Sequence, residues 1–332
     1  MIEHDPTYFG CGNKLPANDL KRLLGTTDFG FIAEDSGDVS VEGVIISSTV
    51  DTVFPFTSDI ELYVYATYYH CANDLLVRGI VPLGATVSLG IGLGLTGAEI
   101  KELNTNVLQV MKDNVVTCAN IHTFNADQTS LTFSIFGHNS NELTTTEFIP
   151  NYGDIYISKP LGNSVVAMDC PSSKKHRDLL QALKIQSIDV FDAIKTTHQI
   201  VCTDVSGFGI IGHLLSVAHN YDYKVELLLE NVPKVDLFEK SFLQHSFSCS
   251  ARRNMDSFHD FIKIIHGEVQ DSDLELLFAG EINGPILIFV DPRHAENQSI
   301  CNFLKQSSDS RKIGSFKKNT DADKLIDICG RK

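Results

Sequence analysis

The sequence has no surplus of basic residues and no segment that resembles an export signal or a membrane anchor. Its 332 residues include 42 acidic and 27 basic side chains, and the net charge is −15. A nucleic-acid backbone is therefore not expected as a partner, because no excess of cations exists to replace its counterions. Residues 1–14 contain neither a basic segment nor an apolar one, and glycine and proline interrupt the longest apolar stretch, 81–95. We predict no secretory signal, no membrane span and a cytoplasmic location.

Cysteine pairs spaced as C-x-x-C are also absent. The eight cysteines are scattered along the chain, which argues against a zinc ribbon and against a disulfide framework. We interpret them as reduced and mostly buried thiols. Only Cys11 has neighbours that suggest a further role.

The hydrophobic pattern predicts a mixed α+β protein. Alternating or β-branched apolar segments favour strands, and apolar residues at helical spacing favour helices, one of which begins with a capping box at Thr96 and Glu99. The first half predicts strands at 41–50, 83–91, 130–137 and 154–159 and helices at 59–78 and 97–116. Turn residues at Pro160-Leu161-Gly162 place a domain boundary at about 150–162. The second half predicts helices at 162–169, 175–184, 186–198, 210–221, 234–243 and 256–264 and strands at 223–229 and 285–290.

The segment Gly10-Cys11-Gly12-Asn13-Lys14 combines a thiol with a nearby cation. The flanking glycines leave the cysteine unshielded, and the lysine can lower the thiol pKa or bind a phosphate. The alternative interpretation is a flexible N-terminal loop that happens to hold a cysteine, and these five residues by themselves favour it.

A series of acids follows or precedes predicted regular elements, namely Glu34, Asp35, Asp51 and Asp74. Carboxylates that converge from loops suit Mg²⁺, which takes few protein ligands and completes its octahedron with water and phosphate oxygens. A solvated acidic turn is the commoner fate of residues such as Glu34 and Asp35. Asp51 is the exception, because it lies at the end of a predicted strand.

A third candidate is the eleven-residue segment from Thr203 to His213, which joins an acid, a glycine-rich turn and the start of an apolar helix. Main-chain N–H groups in such a turn can approach phosphate oxygens, and the helix dipole favours negative charge there. The alternative is an ordinary turn before a buried helix.

These segments resemble the motifs of the selenophosphate synthetases (selenide, water dikinases), a family of the aminoimidazole-ribonucleotide-synthetase-like, or PurM-like, superfamily. Asp204–His213 is similar to the D-V-T-G-F-G-x-x-G-H signature, with Ser206 in place of threonine, and Gly10–Lys14 is similar to the G-C-G-C-K loop. Further similarity lies at Ser48–Asp51 (S/T-T-T-D), Glu34-Asp35 (D-D or M-D), Ala72–Gly79 (I-S-D-V-Y-A-M-G) and Lys159–Gly162 (K-P-L-G).

The resemblance implies a two-domain PurM-like α+β fold. Residues 1–25 would form a mobile catalytic loop and a helix, 26–155 an N-terminal ATP-binding domain, and 156–332 a C-terminal α+β domain. The N-terminal domain would pair with its copy in a homodimer, whose strands meet in a shared β-barrel.

The family pattern also implies roles for individual residues. Cys11 and Lys14 would be catalytic, with Cys11 as the redox-active residue. Mg²⁺ would be bound by Glu34, Asp74 and Asp204. ATP would be bound by Lys14, Ile32, Ala33, Glu34, Asp51, Asp74, Asn120, Ile121, His122 and Thr123. The implied reaction is ATP + selenide + water → selenophosphate + AMP + phosphate, which supplies selenium for selenocysteine or selenouridine, and a monovalent cation is a further candidate cofactor.

The sequence departs from this pattern mainly at the nucleotide site. The glycines of a G-G-H/Q-S/T phosphate turn are replaced in Asn120–Thr123, and Asn13 replaces a second thiol. His70 stands in place of asparagine, Glu34 in place of aspartate, and Asn283-Gly284-Pro285 in place of S-G-G. Two alternatives to the active enzyme therefore remain: a catalytically impaired or regulatory relative, and another kinase or ligase of the superfamily that acts on a carbonyl or amide oxygen.

Overall fold

The structure, a computed structural model, describes residues 14–33, 36–139, 149–167, 174–184, 188–195, 197, 200–319 and 325–331. The described chain contains two β-sheets, one from each half of the sequence, with helices packed against them. Cys11, Glu34 and Asp35 lie outside the described residues. No helix of the described chain is both long and apolar enough to cross a bilayer.

The first half forms a five-stranded sheet in the order β1-β2-β5-β3-β4. All neighbouring strands are antiparallel except β3 and β4, which are parallel. Buried and partly exposed residues alternate along β5, so only one face of the sheet packs against the core. The strands are β1 (Gly37–Val41), β2 (Val44–Val53), β3 (Pro82–Gly92), β4 (Thr117–Ala126) and β5 (Ser130–Asn139).

Two helices cover the inner face of this sheet, α2 (Ile60–Leu76) and α3 (Gly97–Asp113). The capping box predicted at Thr96 and Glu99 is present. Helix α2 is buried on nearly all sides, because it lies between the first sheet and the second half of the chain. A helix buried all round normally lacks polar residues, so the buried polar residues near its C-terminal end require a reason.

The second half forms a seven-stranded sheet in the order β7-β10-β6-β11-β8-β12-β9. Every residue of β10 is buried, as expected for an interior strand covered on both faces. The strands are β6 (Tyr152–Ile157), β7 (Ile200–Asp204), β8 (Tyr223–Leu228), β9 (Ile262–His266), β10 (Ile286–Val290), β11 (Arg311–Lys318) and β12 (Ile326–Cys329). The remaining helices are α1 (Ala17–Leu24), α4 (Asn163–Ala167), α5 (Lys174–Gln181), α6 (Ile188–Lys195), α7 (Gly209–Tyr221), α8 (Phe238–His245), α9 (Cys249–Phe258), α10 (Asp271–Phe278) and α11 (Gln298–Gln306).

The predicted α+β class is confirmed, whereas one predicted strand has different bounds and one predicted helix is wrong in kind. The single strand predicted at 41–50 is part of a hairpin, because Glu42 and Gly43 both have positive φ and form a two-residue turn between β1 and β2. The helix predicted at 256–264 is wrong over most of its length. Helix α9 ends at Phe258, a short 3₁₀ turn follows, and the chain then forms the edge strand β9.

Asn120–Thr123 stand where the family pattern has a phosphate turn, but in this chain they form part of a strand. These four residues lie in the middle of β4 and pair in parallel with Thr86–Leu89 of β3. Within the described residues the first sheet is open at β1 and β4 and does not close into a barrel. The shared barrel, the homodimer and the domain limits at 25 and 155 stay predictions.

Candidate active site

Two acids that are far apart in the sequence meet where β2 faces α2. Thr49 Oγ1 donates a hydrogen bond to Asp74 Oδ2 at 2.5 Å, and Asp51 lies within hydrogen-bonding reach of Asp74. Two carboxylates have only acceptors, so a divalent cation at this pair would be stabilised by both of them.

Lys14 lies over this pair of acids. Its Nζ is 3.5 Å from Asp51 Oδ1 and 5.8 Å from the centroid of the Phe208 ring, and its main-chain oxygen accepts a hydrogen bond from Arg253. Lys14 is thus held by residues from both halves of the chain, while 34% of its side chain stays exposed. A partly exposed ammonium next to buried carboxylates is suited to meeting a phosphate that enters from solvent.

The electrostatics of Asp51 reflect this arrangement. Burial acts to raise the pKa of Asp51, but the Lys14 charge, His70 and the hydrogen bond with Asp74 together lower it below its usual value. Asp51 is therefore kept ionised, although little of its side chain is accessible to water.

Asp204 is the most unusual residue of the site. It ends β7, is completely buried, and neither of its carboxylate oxygens has a hydrogen-bond partner among the described residues. Burial raises the pKa of Asp204 to about 7, although Lys14 and Lys159 act in the opposite direction. A buried carboxylate without partners costs free energy, so this residue is expected to have a ligand that supplies positive charge.

A second lysine lies on the other side of the acids. Lys159 Nζ donates to the main-chain oxygen of Asn283 at 2.5 Å, and burial lowers the pKa of Lys159 to about 8 even though Glu281 and Asp204 oppose that shift. Glu281 is itself buried and accepts hydrogen bonds from the main-chain N–H groups of Gly162 and Ser164. Burial raises the pKa of Glu281 to about 7.

The histidine of the signature segment holds the loop after β7 in place. The main-chain N–H of Ser206 donates to His213 Nε2 at 3.1 Å, and Nδ1 lies 3.2 Å from Thr203 Oγ1. Because Nε2 accepts, the imidazole proton is on Nδ1. Burial lowers the pKa of His213 to about 3, so the ring is neutral. His213 therefore shapes the segment that begins at Asp204 and is not itself directed at a ligand.

The donor set fits a hard divalent cation if phosphate oxygens complete it. Asp51, Asp74 and Asp204 all offer the carboxylate oxygens that Mg²⁺ prefers. Among the described residues no three or more His, Cys, Asp or Glu side chains are grouped closely enough to hold a metal unaided. Glu34, the remaining predicted ligand, lies outside those residues.

The other predicted site residues have different positions. Ile32 is buried in the apolar core, within a short 3₁₀ helix, Gly30–Ala33, whose Gly30 carbonyl accepts hydrogen bonds from Ser216 and Asn220 of α7. Ala33 ends that helix. Contacts of Ile32 and Ala33 with nucleotide stay predictions, as do the roles of Cys11 and Glu34, which the described residues do not include.

Asn120, Ile121, His122 and Thr123 do not join Lys14 and Asp51 within one chain. β4 lies three strand positions from β2, which corresponds to about 14 Å at the usual spacing between strands. Alternation along the strand places Asn120 and His122 on the outer face of the sheet and the other two on the inner face. A contact of this segment with phosphate stays a prediction.

Sequence reasoning did not single out Lys159, Glu281 or Thr49 as site residues. Lys159 and Thr49 belong to recognised motifs, the K-P-L-G turn and the strand before Asp51, and their positions in those motifs could have identified them. Glu281 has no such motif, and only its contacts with Gly162 and Ser164, more than 100 residues away in the sequence, reveal it.

Comparison with known proteins finds relatives that bear the name of the family that the motifs resemble. The chain is 24% identical to a selenide, water dikinase of Photobacterium profundum across 96% of both chains. It is also 24% identical to the enzyme of that name from Yersinia pestis across 88% of both chains. No protein-family model matches the chain. The resemblance to selenide, water dikinases therefore extends over nearly the whole sequence.

Solved structures identify the fold. Thiamine monophosphate kinase from Aquifex aeolicus superposes with a TM-score of 0.64 at 14% identity, over 95% of this chain and 96% of its own. HypE in a HypE–HypF complex superposes with a TM-score of 0.61 at 16% identity, over 94% and 95% of the two chains. The fold is PurM-like. A PurM-like fold was predicted from the motifs, and this prediction is confirmed.

Proposed function

We propose that the chain is a selenide, water dikinase, which converts ATP, selenide and water into selenophosphate, AMP and phosphate and so supplies selenium for selenocysteine or selenouridine. The observation that carries the proposal is the meeting of Lys14, Asp51 and Asp74 close to the buried, unpartnered Asp204. The names of the sequence relatives support this reaction. A superposable AaThiL structure contains AMPPCP, which supports ATP as the nucleotide.

Phosphoryl transfer requires mainly positioning and neutralisation of charge. Asp74 and Asp204, together with Glu34, would hold Mg²⁺, which neutralises the charge that develops on the phosphate oxygens. Asp51 would orient the nucleotide, and Lys14 would exchange its contact with Asp51 for the transferring phosphate. His213 holds the loop from Asp204 to Phe208 in shape, and this loop would keep the Asp204 carboxylate fixed in the site.

Cys11 would hold selenide next to the phosphate without forming a bond to it, and a selenium lone pair would form the new Se–P bond as the P–O bond to ADP breaks. Water would then hydrolyse the ADP to AMP and phosphate, which gives the products of the proposed reaction. Cys11→Ser is expected to reduce selenide-dependent turnover and to leave the melting temperature unchanged. Full activity of that variant would show that the thiol is dispensable.

The proposed reaction is tested by measuring AMP release from ATP with and without selenide. Selenide-dependent AMP is expected in the wild type, and Lys14→Met should lower its rate by about a hundredfold, because a cation that meets the transferring phosphate is lost. Lys174→Met is the matched control, since Lys174 lies on the surface of α5 and pairs with Asp178 four residues away. Equal AMP release with and without selenide would contradict the proposal.

The alternative function is a catalytically impaired relative that binds nucleotide without efficient turnover. The observation that favours it is the strand at Asn120–Thr123, where the family pattern has a glycine turn and this chain has none. Binding of Mg²⁺–ATP without AMP release, with or without selenide, would support this alternative over the active enzyme.

We also propose that the chain forms a homodimer through the outer face of the first sheet. In the single chain this face is largely uncovered, with Val50 64% exposed. The residues of this outer face alternate along β2 and β5 with the buried residues of the inner face, and many of them are serine or threonine.

A further inference from the structure

Asn283 joins four parts of the chain beside the proposed nucleotide site. It lies in the loop before β10 and is almost completely buried. Its side-chain Oδ1 accepts a hydrogen bond from Asn73 Nδ2 at 3.2 Å, and its Nδ2 donates to the main-chain oxygen of Leu183 at 2.7 Å. Its main-chain oxygen accepts from Lys159, and its main-chain N–H donates to His70 Nδ1 at 3.4 Å. All four polar groups of this residue are therefore used.

The backbone of Asn283 has a left-handed conformation, with a φ of 46°. Few residues other than glycine adopt this conformation easily, and asparagine is among the most tolerant of them. The two side-chain hydrogen bonds to Asn73 and Leu183 hold the residue in that conformation. As a result, the main-chain N–H points away from its own sheet and toward α2 of the other half of the chain.

This contact determines which nitrogen of His70 carries the proton. Because Nδ1 accepts from Asn283, the proton is on Nε2. His70 Nε2 lies 3.9 Å from Asp51 Oδ2, which is too long for a hydrogen bond but close enough for the N–H dipole to favour the Asp51 carboxylate. A chain of contacts thus runs from Asn283 through His70 to Asp51.

We propose that Asn283 is a positioning residue for the nucleotide site and that it acts through His70 on Asp51. Its left-handed backbone presents the N–H that orients the imidazole, and the oriented imidazole turns its Nε2–H toward the Asp51 carboxylate that Lys14 also contacts. The effect on nucleotide affinity rests on the proposed function, whereas the orientation of His70 does not.

The experiment compares Asn283→Val with Asn283→Gly, each alone and combined with His70→Ala. Glycine keeps the left-handed backbone and its N–H, whereas a β-branched valine strains that conformation. The full-length protein is titrated with Mg²⁺ and AMPPCP by calorimetry. Asn283→Val should weaken binding by about tenfold, the size of effect expected when a residue that orients a ligand-binding group is lost, and Asn283→Gly should stay within about threefold of wild type.

The same valine substitution should have no further effect once His70 is alanine, because the residue that transmits the effect is gone. Equal affinities of the valine variant and the wild type would overturn the proposal. An equal loss from valine with and without His70 would also overturn it, because the effect would then not pass through the imidazole.

A second measurement reads the imidazole directly and does not require nucleotide binding. The ¹⁵N chemical shifts of the His70 ring, assigned with the His70→Ala variant, should show a protonated Nε2 and an accepting Nδ1 in the wild type and in Asn283→Gly. The Nδ1 signal should move in Asn283→Val. If valine prevents folding, the tautomer of the wild type decides the inference. A wild-type ring protonated on Nδ1 would overturn the inference. Failure of the wild type to bind AMPPCP would instead overturn the proposed function and leave the ring spectrum to decide this inference.

Discussion

At the scale of single residues, Asp204 shows how a binding site can oppose the stability of the fold. Its carboxylate is buried without a hydrogen-bond partner among the described residues, so its ionised form is disfavoured in the folded protein and favoured in the unfolded chain, which water solvates. A cation bound at the site would remove that penalty. Without the cation, the residue is expected to make the protein less stable at neutral and alkaline pH than it would be with a neutral side chain.

Asp204→Asn should therefore stabilise the unliganded protein at pH 8. Burial raises the pKa of Asp204 from 3.8 to about 7, so the folded state binds more protons than the unfolded state between these values, and stability falls as the pH rises through this window. The shift corresponds to about 4 kcal/mol above pH 7. The gain from Asn should shrink by about 1.4 kcal/mol for each pH unit below 7 and disappear below 3.8, as measured by urea unfolding at pH 8, 6 and 4.

Asp127→Asn is the control for this prediction, because Asp127 is exposed in the turn between β4 and β5. It should change the free energy of unfolding little at any of these pH values. If Asp204→Asn gives no gain in stability at pH 8, or the same gain at pH 8 and pH 4, the account of the buried charge is contradicted.

Residue-level prediction worked where the chemistry was contained in a short motif. The convergence of Lys14, Asp51 and Asp74 could be inferred from segments that each hold one demanding side chain. The contacts of Asn283 with His70 and of Glu281 with Gly162 could not be inferred, because each joins residues more than 100 positions apart. Nothing in the local pattern of either segment indicates its partner.

At the scale of elements, edge strands were the main failure of the sequence interpretation. β4 and β9 are largely exposed on both faces, so they lack the alternation of apolar and polar residues that identifies a half-buried strand. The hairpin of β1 and β2 was missed for a different reason: its turn is Glu-Gly, whereas Asn-Gly and Asp-Gly are the common signals. Helices α2 and α3, by contrast, have clear caps and apolar patterns and were predicted to within a few residues.

The glycines at helix ends allow an element-level prediction. Gly25 ends α1 and Gly209 begins α7, and both have positive φ. An added Cβ at Gly25 would meet nothing within 4 Å, whereas at Gly209 it would lie 2.7 Å from the main-chain oxygen of Phe278. Gly25→Ala should therefore cost about 1 kcal/mol from backbone strain alone.

Gly209→Ala should cost at least about 2 kcal/mol more than Gly25→Ala, because the oxygen it approaches belongs to the main chain and cannot turn aside. Urea unfolding of the two variants measures the difference directly. Equal losses would show that the close approach of α7 to α10 does not constrain this position. A larger loss at Gly25 would be inconsistent with the packing described for both helix ends.

At the scale of the whole molecule, the site depends on two halves that contact each other through α2. Asp51 and Asp74 come from the first sheet and α2, whereas Asp204, Lys159 and Asn283 come from the second sheet and its loops. This division explains why α2 carries buried polar residues: it is the surface on which the two halves meet. A site assembled in this way is completed only when both halves are folded.

The outer face of the first sheet gives the last prediction. Asn120, His122 and Phe124 lie on this face with Val50, and the rings of His122 and Phe124 stack on each other. If a second copy covers the face, Val50→Glu would place a charge in a buried interface and should convert a dimer of twice 36.7 kDa into a monomer in sedimentation velocity. Leu243→Glu, at a residue of α8 that is 80% exposed, should leave the dimer intact.

The same pair of variants tests how the segment Asn120–Thr123 could reach a nucleotide. Within one chain it is about 14 Å from Asp51, and the proposed dimer offers a second route, in which the partner's copy of the segment contacts the nucleotide. Val50→Glu, which separates the subunits, should then also weaken binding of Mg²⁺–AMPPCP, whereas Leu243→Glu should not. A monomeric Val50→Glu protein with wild-type affinity would show that each chain binds nucleotide with its own Lys14 and acids and that β4 contributes only to assembly.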